Sequence, residues 1–138
     1  MPARLGERMQ LGAILGVLGA AAALAQRLNR EVAEHIRQQD GVAEIRTEDG
    51  SVARHFRIRQ GKIRSRRGTH PSPTYAMIYK DVPTALRIMK TGNEEASMTA
   101  MAQGELRFDG DLTFGMWFNE LLQKTGALMK NPRGFVAR

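Results

Sequence analysis

The sequence predicts an α+β protein in which a long N-terminal helix precedes four strands, two short helices, a fifth strand and a last helix. Three features support this order: apolar residues at helical spacing near the N-terminus, alternating segments separated by turn residues in the middle, and a compressed helix–strand–helix succession at residues 100–111. We expect residues 1–40 to form an N-terminal apolar and amphipathic helix and residues 41–138 the rest of one compact domain.

The N-terminal helix contains an uncharged segment, residues 11–25, which follows Arg4 and Arg8. At about 1.5 Å per residue this segment reaches about 22 Å, less than the ~30 Å hydrocarbon core, which disfavours a conventional membrane-spanning helix. Apolar residues continue beyond it at four-residue spacing, which predicts one helix that runs on to residues 38–41; these are Leu24, Leu28, Val32 and Ile36.

The uncharged segment has several roles open to it. A helix that is apolar all round requires burial in the core, in a partner or at a membrane surface, and we expect burial between chains or in a membrane. Gly12, Gly16 and Ala20 form a ridge of small residues suited to contact within a homo-oligomer. The basic start and residues 23–25 also fit the loose pattern of a cleaved signal peptide. Residues 1–25 are therefore a signal, a membrane anchor or an assembly helix.

The middle of the chain predicts four strands. Residues 42–47 and 52–59 flank the pair Asp49 and Gly50, a strong hairpin signal, and Gln60 and Gly61 then turn the chain into residues 62–67. Residues 74–79 form the fourth strand, after a breaker that contains two prolines.

The last part of the chain alternates helices with one strand. Asp81 begins a helix that stops at Gly92, and Asn93 caps a second helix that Gly104 closes. The period of two around Leu106 and Phe108 then predicts a half-buried strand. Asp111 restarts a helix, which we expect to extend to residue 124.

Residues 100–111 resemble the signature A-F-x-x-G-x-L-x-x-x-G-D of the sterol carrier protein 2 family; the matching residues are Ala100, Met101, Gln103, Gly104, Leu106, Gly110 and Asp111. Met101 stands where the family has an aromatic residue, and Glu105 where it has a basic one. The resemblance covers roughly residues 42–124. It implies a five-stranded, mostly antiparallel sheet with helices over one face, a hydrophobic tunnel between them, and a carrier of apolar ligands rather than an enzyme.

The last helix carries an apolar stripe wider than a cover over a sheet needs, and several methionines would give the wall of a cavity an adaptable surface. Apolar stripes on helices most often pack into a hydrophobic core. The family resemblance makes the wall of a ligand-binding cavity an equally open interpretation. The residues predicted to bind ligand are Met77, Tyr79, Leu86, Met89, Met98, Met101, Phe108, Met116, Trp117, Phe118, Leu121 and Leu122.

Positive charge is concentrated in residues 46–67, which hold eight basic and two acidic residues, so that 8 − 2 = +6 of the net +7 lies there. A two-residue turn at Gln60 and Gly61 would place Arg59 opposite Lys62, Arg57 opposite Arg64 and His55 opposite Arg66. We expect this face to bind an anionic membrane surface through Arg57, Arg59, Lys62, Arg64 and Arg66. Nucleic acid is the less favoured partner, because only Phe56 supplies an aromatic ring among the arginines. A third interpretation is that these residues form an ordinary solvent-exposed sheet edge, which their charges keep from aggregating.

The sequence lacks the residues that catalytic and metal-binding sites typically require. The chain has no cysteine, its three histidines are far apart in sequence, and no phosphate-binding glycine motif is present. We expect no catalytic residues, no metal and no cofactor. The predicted function is to carry or present a lipid, acyl, sterol-like or prenyl molecule in a bacterial cytoplasm or at the periphery of the inner membrane. A nucleic-acid-binding module and a structural oligomerisation subunit are the alternatives.

Overall fold

The computed structural model describes residues 4–130, which form five helices and five strands. The first half contains α1 (Leu5–Leu28), α2 (Arg30–Ile36), β1 (Gly41–Thr47), β2 (Ala53–Arg59) and β3 (Lys62–Arg67). The second half contains β4 (Tyr75–Tyr79), α3 (Val82–Thr91), α4 (Glu94–Ala102), β5 (Leu106–Gly110) and α5 (Leu112–Lys130). The predicted order of elements is confirmed, except that the N-terminal helix is two helices.

The five strands form one sheet in the order β3-β2-β1-β4-β5. β1 and β4 are parallel, and the other three neighbouring pairs are antiparallel, so the expected mostly antiparallel sheet is confirmed. The parallel pair arises because residues 68–74 carry the chain from the edge strand β3 back across the sheet. Within this connection the His70 amide donates to Glu44 Oε1 over 2.6 Å, and His55 Nδ1 lies 2.9 Å from the Gly68 carbonyl oxygen. The connection therefore covers part of the face of the sheet that the helices leave open.

The hydrophobic core lies between the other face of the sheet and the helices. Phe56 and Ile58 of β2 and Ile63 of β3 are buried there, and the Phe56 ring centroid is 5.3 Å from that of Phe118 in α5. α1 contributes Leu11, Leu15, Ala22 and Ala25 to the same core. At its closest approach to β3, a Cβ on Gly19 would lie 2.9 Å from Ser65 Cβ, so only glycine lets the helix lie this close. The helices thus cover one face, as expected.

The uncharged segment of α1 is partly buried by its own fold, so the expectation of burial between chains or in a membrane is wrong for its inner face. Its outer face remains exposed at Val17 and Leu24, and Gly12 and Ala20 do not reach the core. By length and composition α1 is also long and apolar enough to cross a membrane, a test that a core helix or a signal sequence passes equally. The helix has 24 residues, whereas the uncharged segment within it has fifteen, because helical turns with polar residues extend α1 at both ends of that segment.

The single long N-terminal helix predicted from the apolar spacing is interrupted at Asn29. Asn29 is extended, with φ −122° and ψ 118°, and its side-chain oxygen accepts a hydrogen bond from the Val32 amide. Asparagine competes with helical backbone bonding in this way, and it caps the new helix instead of continuing the old one. After the break, α2 contacts α5 and contributes Val32 and Ile36 to the same core as the residues of α1.

The predicted caps are present in the second half of the chain. The side chains of Asp81, Asn93 and Asp111 accept hydrogen bonds from the amides three residues later, over 2.9, 2.7 and 3.0 Å. Gly92 ends α3 in the left-handed region with φ 68°, where a side chain would be strained. These local signals set the ends of α3, α4 and α5 around β5.

Candidate functional site

A cavity of about 510 Å³ lies between β4 and β5 on one side and α3, α4 and α5 on the other. Its volume falls within the range of pockets that bind small molecules. The lining residues are Tyr75, Met77, Tyr79, Ile88, Met89, Gly92, Asn93, Glu94, Ser97, Met98, Met101, Phe108, Leu112, Gly115, Met116, Asn119 and Gln123.

The floor of the cavity is formed by alternate residues of β4 and by Phe108 of β5. Tyr75, Met77 and Tyr79 share one face because successive side chains of a strand point to opposite sides. The rings of Tyr75 and Phe108 stack at 5.8 Å with an interplanar angle of 18°. Gly115 of α5 lies against Tyr75, where a Cβ would approach the ring Cζ to 2.7 Å. The backbone of Gly115 thus packs directly against the Tyr75 ring at this end of the cavity floor.

The rim of the cavity is rich in methionine. Five of the eight methionines in the chain line the cavity, from β4, α3, α4 and α5. Met98 and Met116 are 64% and 72% exposed, while Met77 on the floor is buried. Methionine is flexible and polarizable, so this lining can adapt to ligands of different shape.

Seven of the residues predicted to bind ligand line the cavity: Met77, Tyr79, Met89, Met98, Met101, Phe108 and Met116. The remaining five do not: Leu86, Trp117, Phe118 and Leu121 are buried in the core, and Leu122 packs against it. Leu86 lies on α3, and the placement of the other four follows from two stripes on α5. Leu112, Met116, Asn119 and Gln123 recur every three or four residues toward the cavity, and the aromatic stripe faces the core.

Trp117 belongs to a contact between α5 and α2 rather than to the cavity. Its indole Nε1–H donates to the His35 carbonyl oxygen over 2.8 Å, and His35 Nε2 is 2.9 Å from the Trp117 carbonyl oxygen. The two rings stack at 5.2 Å with an interplanar angle of 6°. The hydrogen bond satisfies the only polar group of the indole, and the stacking holds the Trp117 ring in the core.

Several lining residues were missed from the sequence, among them Tyr75, Asn119 and Gln123. Tyr75 lies two residues before Met77, so strand alternation alone was enough to find it. Asn119 lies four residues after Gly115, and Gln123 lies eleven residues after Leu112, so both fall on the same side of the helix. A search for apolar residues at helical spacing does not find them, because both are polar.

Both tyrosines of the floor sit in a low-polarity setting. Burial raises the pKa of Tyr79 to about 12. Burial also raises the pKa of Tyr75, and repulsion from Tyr79 raises it further. Both phenols are protonated at neutral pH, as an ordinary tyrosine is, and the raised pKa extends that range to higher pH.

A basic surface occupies the open face of β2 and β3. The register pairs Arg59 with Lys62, Arg57 with Arg64 and His55 with Arg66, as the two-residue turn predicted. The five predicted anion-binding residues, Arg57, Arg59, Lys62, Arg64 and Arg66, are all exposed. We call these five residues the basic ladder.

One carboxylate lies beside the basic ladder. Glu44 of β1 is opposite His55, is buried beneath the connection after β3, and pairs with Arg46 Nε over 3.2 Å. It is thus already neutralised by a residue outside the ladder. Within residues 4–130 no group of three or more histidine, cysteine, aspartate or glutamate side chains is arranged to hold a metal ion.

The sheet order, the one-sided helices and the open, mostly apolar cavity define a class of α+β protein, and comparison with solved structures identifies the fold as that of sterol carrier protein 2. No protein-family model and no curated protein sequence matches the chain. The "UbiJ-SCP2 Ubiquinone synthesis protein" is similar with a TM-score of 0.59 and 12% identity, over 84% of this chain and 96% of that one.

Two further structures support the same fold. The sterol carrier protein domain 2 of Helicoverpa armigera has a TM-score of 0.57 and 13% identity, over 92% of this chain and 95% of that one. A double mutant of the sec-alkyl sulfatase PisA1 has a TM-score of 0.50 and 24% identity, over 70% of this chain. The match covers 14% of the sulfatase, so it concerns one part of a much larger protein.

Proposed function

We propose that the protein binds an apolar or amphipathic lipid in this cavity and carries or presents it without covalent chemistry. The observation that carries the proposal is the methionine-lined cavity of about 510 Å³ between sheet and helices. The shared fold with a sterol carrier protein domain supports it, because that protein's name describes carriage of an apolar molecule. We place this activity in a bacterial cytoplasm, at or near the inner membrane.

The size of the cavity is sufficient for useful affinity. Burial of roughly 300 Å² of hydrocarbon at about 25 cal/mol per Å² contributes ~7 kcal/mol before the ligand's ordering is subtracted. A free energy of ~7 kcal/mol corresponds to a Kd of roughly 10 μM, which the ordering cost raises further. Lipid binding in this range allows both loading and release.

The cavity is tested with methionines on its rim. We expect the double variant Met98→Glu, Met116→Glu to lower affinity for a fluorescent long-chain lipid at least about tenfold, because two carboxylates at the rim must lose water when the ligand enters. The two side chains are already exposed, so the fold should survive the change.

The matched control is Met9→Glu, Met129→Glu, which alters two exposed methionines outside the cavity. This control should keep wild-type affinity. Native mass spectrometry of protein purified without detergent provides the independent measurement, since a retained lipid appears as added mass. Failure of the wild-type protein to bind or retain any lipid contradicts the proposal.

The proposal also assigns the basic ladder to docking on anionic membranes. The ladder holds like charges opposite one another, an arrangement that costs stability in a sheet and that an anionic partner relieves. Each basic side chain near an anionic surface contributes about 1 kcal/mol. Five exposed cations on one face thus favour a membrane rich in anionic lipid.

Docking is tested with Arg57→Glu, Arg64→Glu, two residues paired across β2 and β3. Reversal of both charges should weaken binding to anionic vesicles by a factor of at least tens, slow lipid transfer to them, and leave transfer to neutral vesicles and ligand capacity unchanged. The control Arg30→Glu, Lys90→Glu makes the same change in net charge at exposed sites on α2 and α3.

Nucleic acid is the competing partner in the same experiment. Both partners lose affinity as salt rises, so salt dependence does not separate them. Tight binding of duplex DNA at physiological salt, lost in the ladder variant while vesicle transfer is unchanged, would assign the ladder to nucleic acid instead.

A further inference from the structure

A second groove, separate from the methionine-lined cavity, lies between the N-terminal half of α1 and the part of the sheet where β2 begins and β3 ends. It has a volume of about 650 Å³ and lies on the β2–β3 side of the sheet, whereas the cavity lies on the β4–β5 side. Three arginines line the groove, Arg8, Arg54 and Arg67, and no described residue in its lining is acidic. None of the three belongs to the basic ladder, so the function proposed above gives them no role.

Two of these arginines lie directly opposite each other, Arg54 on β2 and Arg67 on β3. The Gly68 amide donates to the Ala53 carbonyl oxygen over 2.9 Å, so the next pair along the hairpin, Arg54 and Arg67, is a pair without mutual hydrogen bonds, in which side chains are closest. The Cβ atoms of such a pair are about 5 Å apart. Strand alternation places Arg54 on the same side as the buried Phe56, so the pair faces α1 and the basic ladder faces the opposite way.

The guanidinium of Arg54 is held in position beneath α1. Its Nε–H donates to Ser65 Oγ over 3.2 Å. The side chain passes two glycines of α1: a Cβ on Gly19 would lie 3.2 Å from Nε, and a Cβ on Gly16 would lie 3.7 Å from Nη1. The terminal nitrogens make no hydrogen bond to another group within residues 4–130, and they are not enclosed by the protein. Their donors are therefore available to a ligand in the groove.

The positive charge of this pair is not compensated by the described part of the chain. The ion pairs of residues 4–130 lie elsewhere and include neither Arg54 nor Arg67. Asp49, in the turn before β2, accepts hydrogen bonds from the Thr47 hydroxyl and the Ser51 amide. Like charges directly opposite each other destabilise a sheet. An anion bound between the two guanidinium groups removes this repulsion.

The number and shape of the donors favour a phosphate group over a carboxylate. Each guanidinium presents a planar fork of donors that matches two oxygens of an anion. A carboxylate has two oxygens in one plane and one charge, and a single fork satisfies it. A phosphate group has oxygens on several sides and carries up to two negative charges, so it can accept from two forks at once.

We propose that this groove binds the phosphate group of a phosphorylated ligand, with Arg54 and Arg67 donating to its oxygens and Arg8 adding a third positive charge. The site is distinct from the cavity and from the basic ladder, so the inference does not rest on the proposed function. The phosphate group belongs to a small soluble ester or to a lipid headgroup, and the test distinguishes these two sources.

The first measurement is a calorimetric titration of the full chain with glycerol 3-phosphate. We expect saturable binding to the wild-type protein, and we expect Arg54→Gln, Arg67→Gln to weaken it at least about tenfold, because charge-assisted hydrogen bonds are lost. The control Lys90→Gln, Arg107→Gln removes the same charge at exposed sites on α3 and β5 and should keep wild-type affinity. If the double variant does not fold, Arg67→Gln alone serves, since Arg67 is exposed, and it should weaken binding about threefold to fivefold.

A defined site differs from general attraction between opposite charges in two ways. Arg54→Lys keeps the charge but loses the fork and the Nε–H bond to Ser65, so it should weaken glycerol 3-phosphate binding at least about threefold. In nuclear magnetic resonance the Nε–H signal of Arg54 should shift in proportion to occupancy. Acetate should bind at least about tenfold more weakly than glycerol 3-phosphate. Wild-type affinity in Arg54→Lys, an unmoved Arg54 signal, or equal binding of acetate would overturn the inference.

The source of the phosphate group is tested with phosphatidylcholine vesicles that contain phosphatidylglycerol. For a lipid headgroup, Arg54→Gln, Arg67→Gln should bind these vesicles at least about fivefold more weakly than Lys90→Gln, Arg107→Gln does, and glycerol 3-phosphate should compete with the vesicles. For a soluble ester, the two variants should bind the vesicles equally while only the first loses glycerol 3-phosphate. If the wild-type protein does not bind glycerol 3-phosphate and the two variants bind vesicles equally, the inference is wrong, and the lipid cavity, tested at Met98 and Met116, is unaffected.

Discussion

Gly115 shows how one residue shapes the cavity. It lies within the apolar stripe of α5, where a larger residue would fit the helical pattern, yet the ring of Tyr75 occupies the space of its side chain. Glycine at this position costs helix stability and permits the close contact that closes the floor. Gly126, on the same helix, has no heavy atom near its missing Cβ. Substitution of the two glycines therefore compares a packed position with an open position on the same helix.

We expect Gly115→Ala to destabilise the protein by about 1–3 kcal/mol, because the added methyl group overpacks against the Tyr75 ring. Gly126→Ala should stabilise it by about 0.5–1 kcal/mol through the higher helix propensity of alanine. Urea unfolding followed by circular dichroism measures both. A shift in the same direction for the two variants would contradict the close packing of Tyr75 on α5.

Trp117 and Phe118 illustrate a limit of residue-level prediction. The sequence correctly indicates that both are apolar and face inward, but a core and a cavity wall require the same residue types. Phe118 is fully buried against Phe56, so Phe118→Asp would place an unpaired carboxylate in the core and unfold the protein. The variant therefore cannot test ligand binding, and the exposed methionines of the rim are the suitable sites.

At the scale of elements, α1 is attached to the β2–β3 hairpin by one polar side chain. Gln26 Nε2 donates to the Gly61 carbonyl oxygen, and its Oε1 accepts from the Ile63 amide, both over 2.9 Å. These bonds satisfy backbone groups at the edge strand, where an unpaired strand otherwise invites another chain. Gln26 therefore sets the position of the helix end relative to the turn of the hairpin.

We expect Gln26→Met to release the Ile63 amide and to increase its hydrogen-exchange rate about fivefold to tenfold, because one protecting bond of about 1 kcal/mol is lost. Methionine keeps the size and the helix propensity of glutamine. Gln38→Met is the control, since that residue is exposed after α2. Unchanged exchange at Ile63 would show that the Gln26 side chain does not protect the edge.

At the scale of the whole molecule, α1 is part of the core rather than an appendage. Leu11, Leu15, Ala22 and Ala25 belong to the same buried cluster as Phe56 and Ile63. The exposed stripe that includes Val17 and Leu24 leaves an apolar outer surface, on which assembly or membrane contact remains a prediction.

Deletion of residues 1–26 should therefore expose the sheet and destroy cooperative folding, because the core loses one of its two largest helices. We expect loss of near-ultraviolet circular dichroism, binding of a hydrophobic dye, and a broad unfolding transition in urea. A truncated chain that keeps the wild-type unfolding midpoint would show that α1 acts as a separate segment, available for a partner or a membrane.

Local chemistry in the sequence determined much of this protein: the strands, the turns, the caps at Asp81, Asn93 and Asp111, and the pairing of the basic ladder all follow from residues near one another in the chain. A short-range pattern specifies such features because backbone hydrogen bonding and side-chain alternation act over a few residues.

The tertiary structure alone decided which apolar residues line the cavity and which form the core. Leu86, Trp117, Phe118 and Leu121 carry the same apolar signal as Met89 and Met116, and the packing of α3 and α5 against α1 and the sheet separates the two groups. It also decided that the local capping by Asn29 prevails over the apolar helical spacing, since α2 packs on α5 after the break. Apolar burial is non-directional, so its pattern in a sequence indicates that a side chain leaves water without specifying whether a protein atom or a ligand replaces that water.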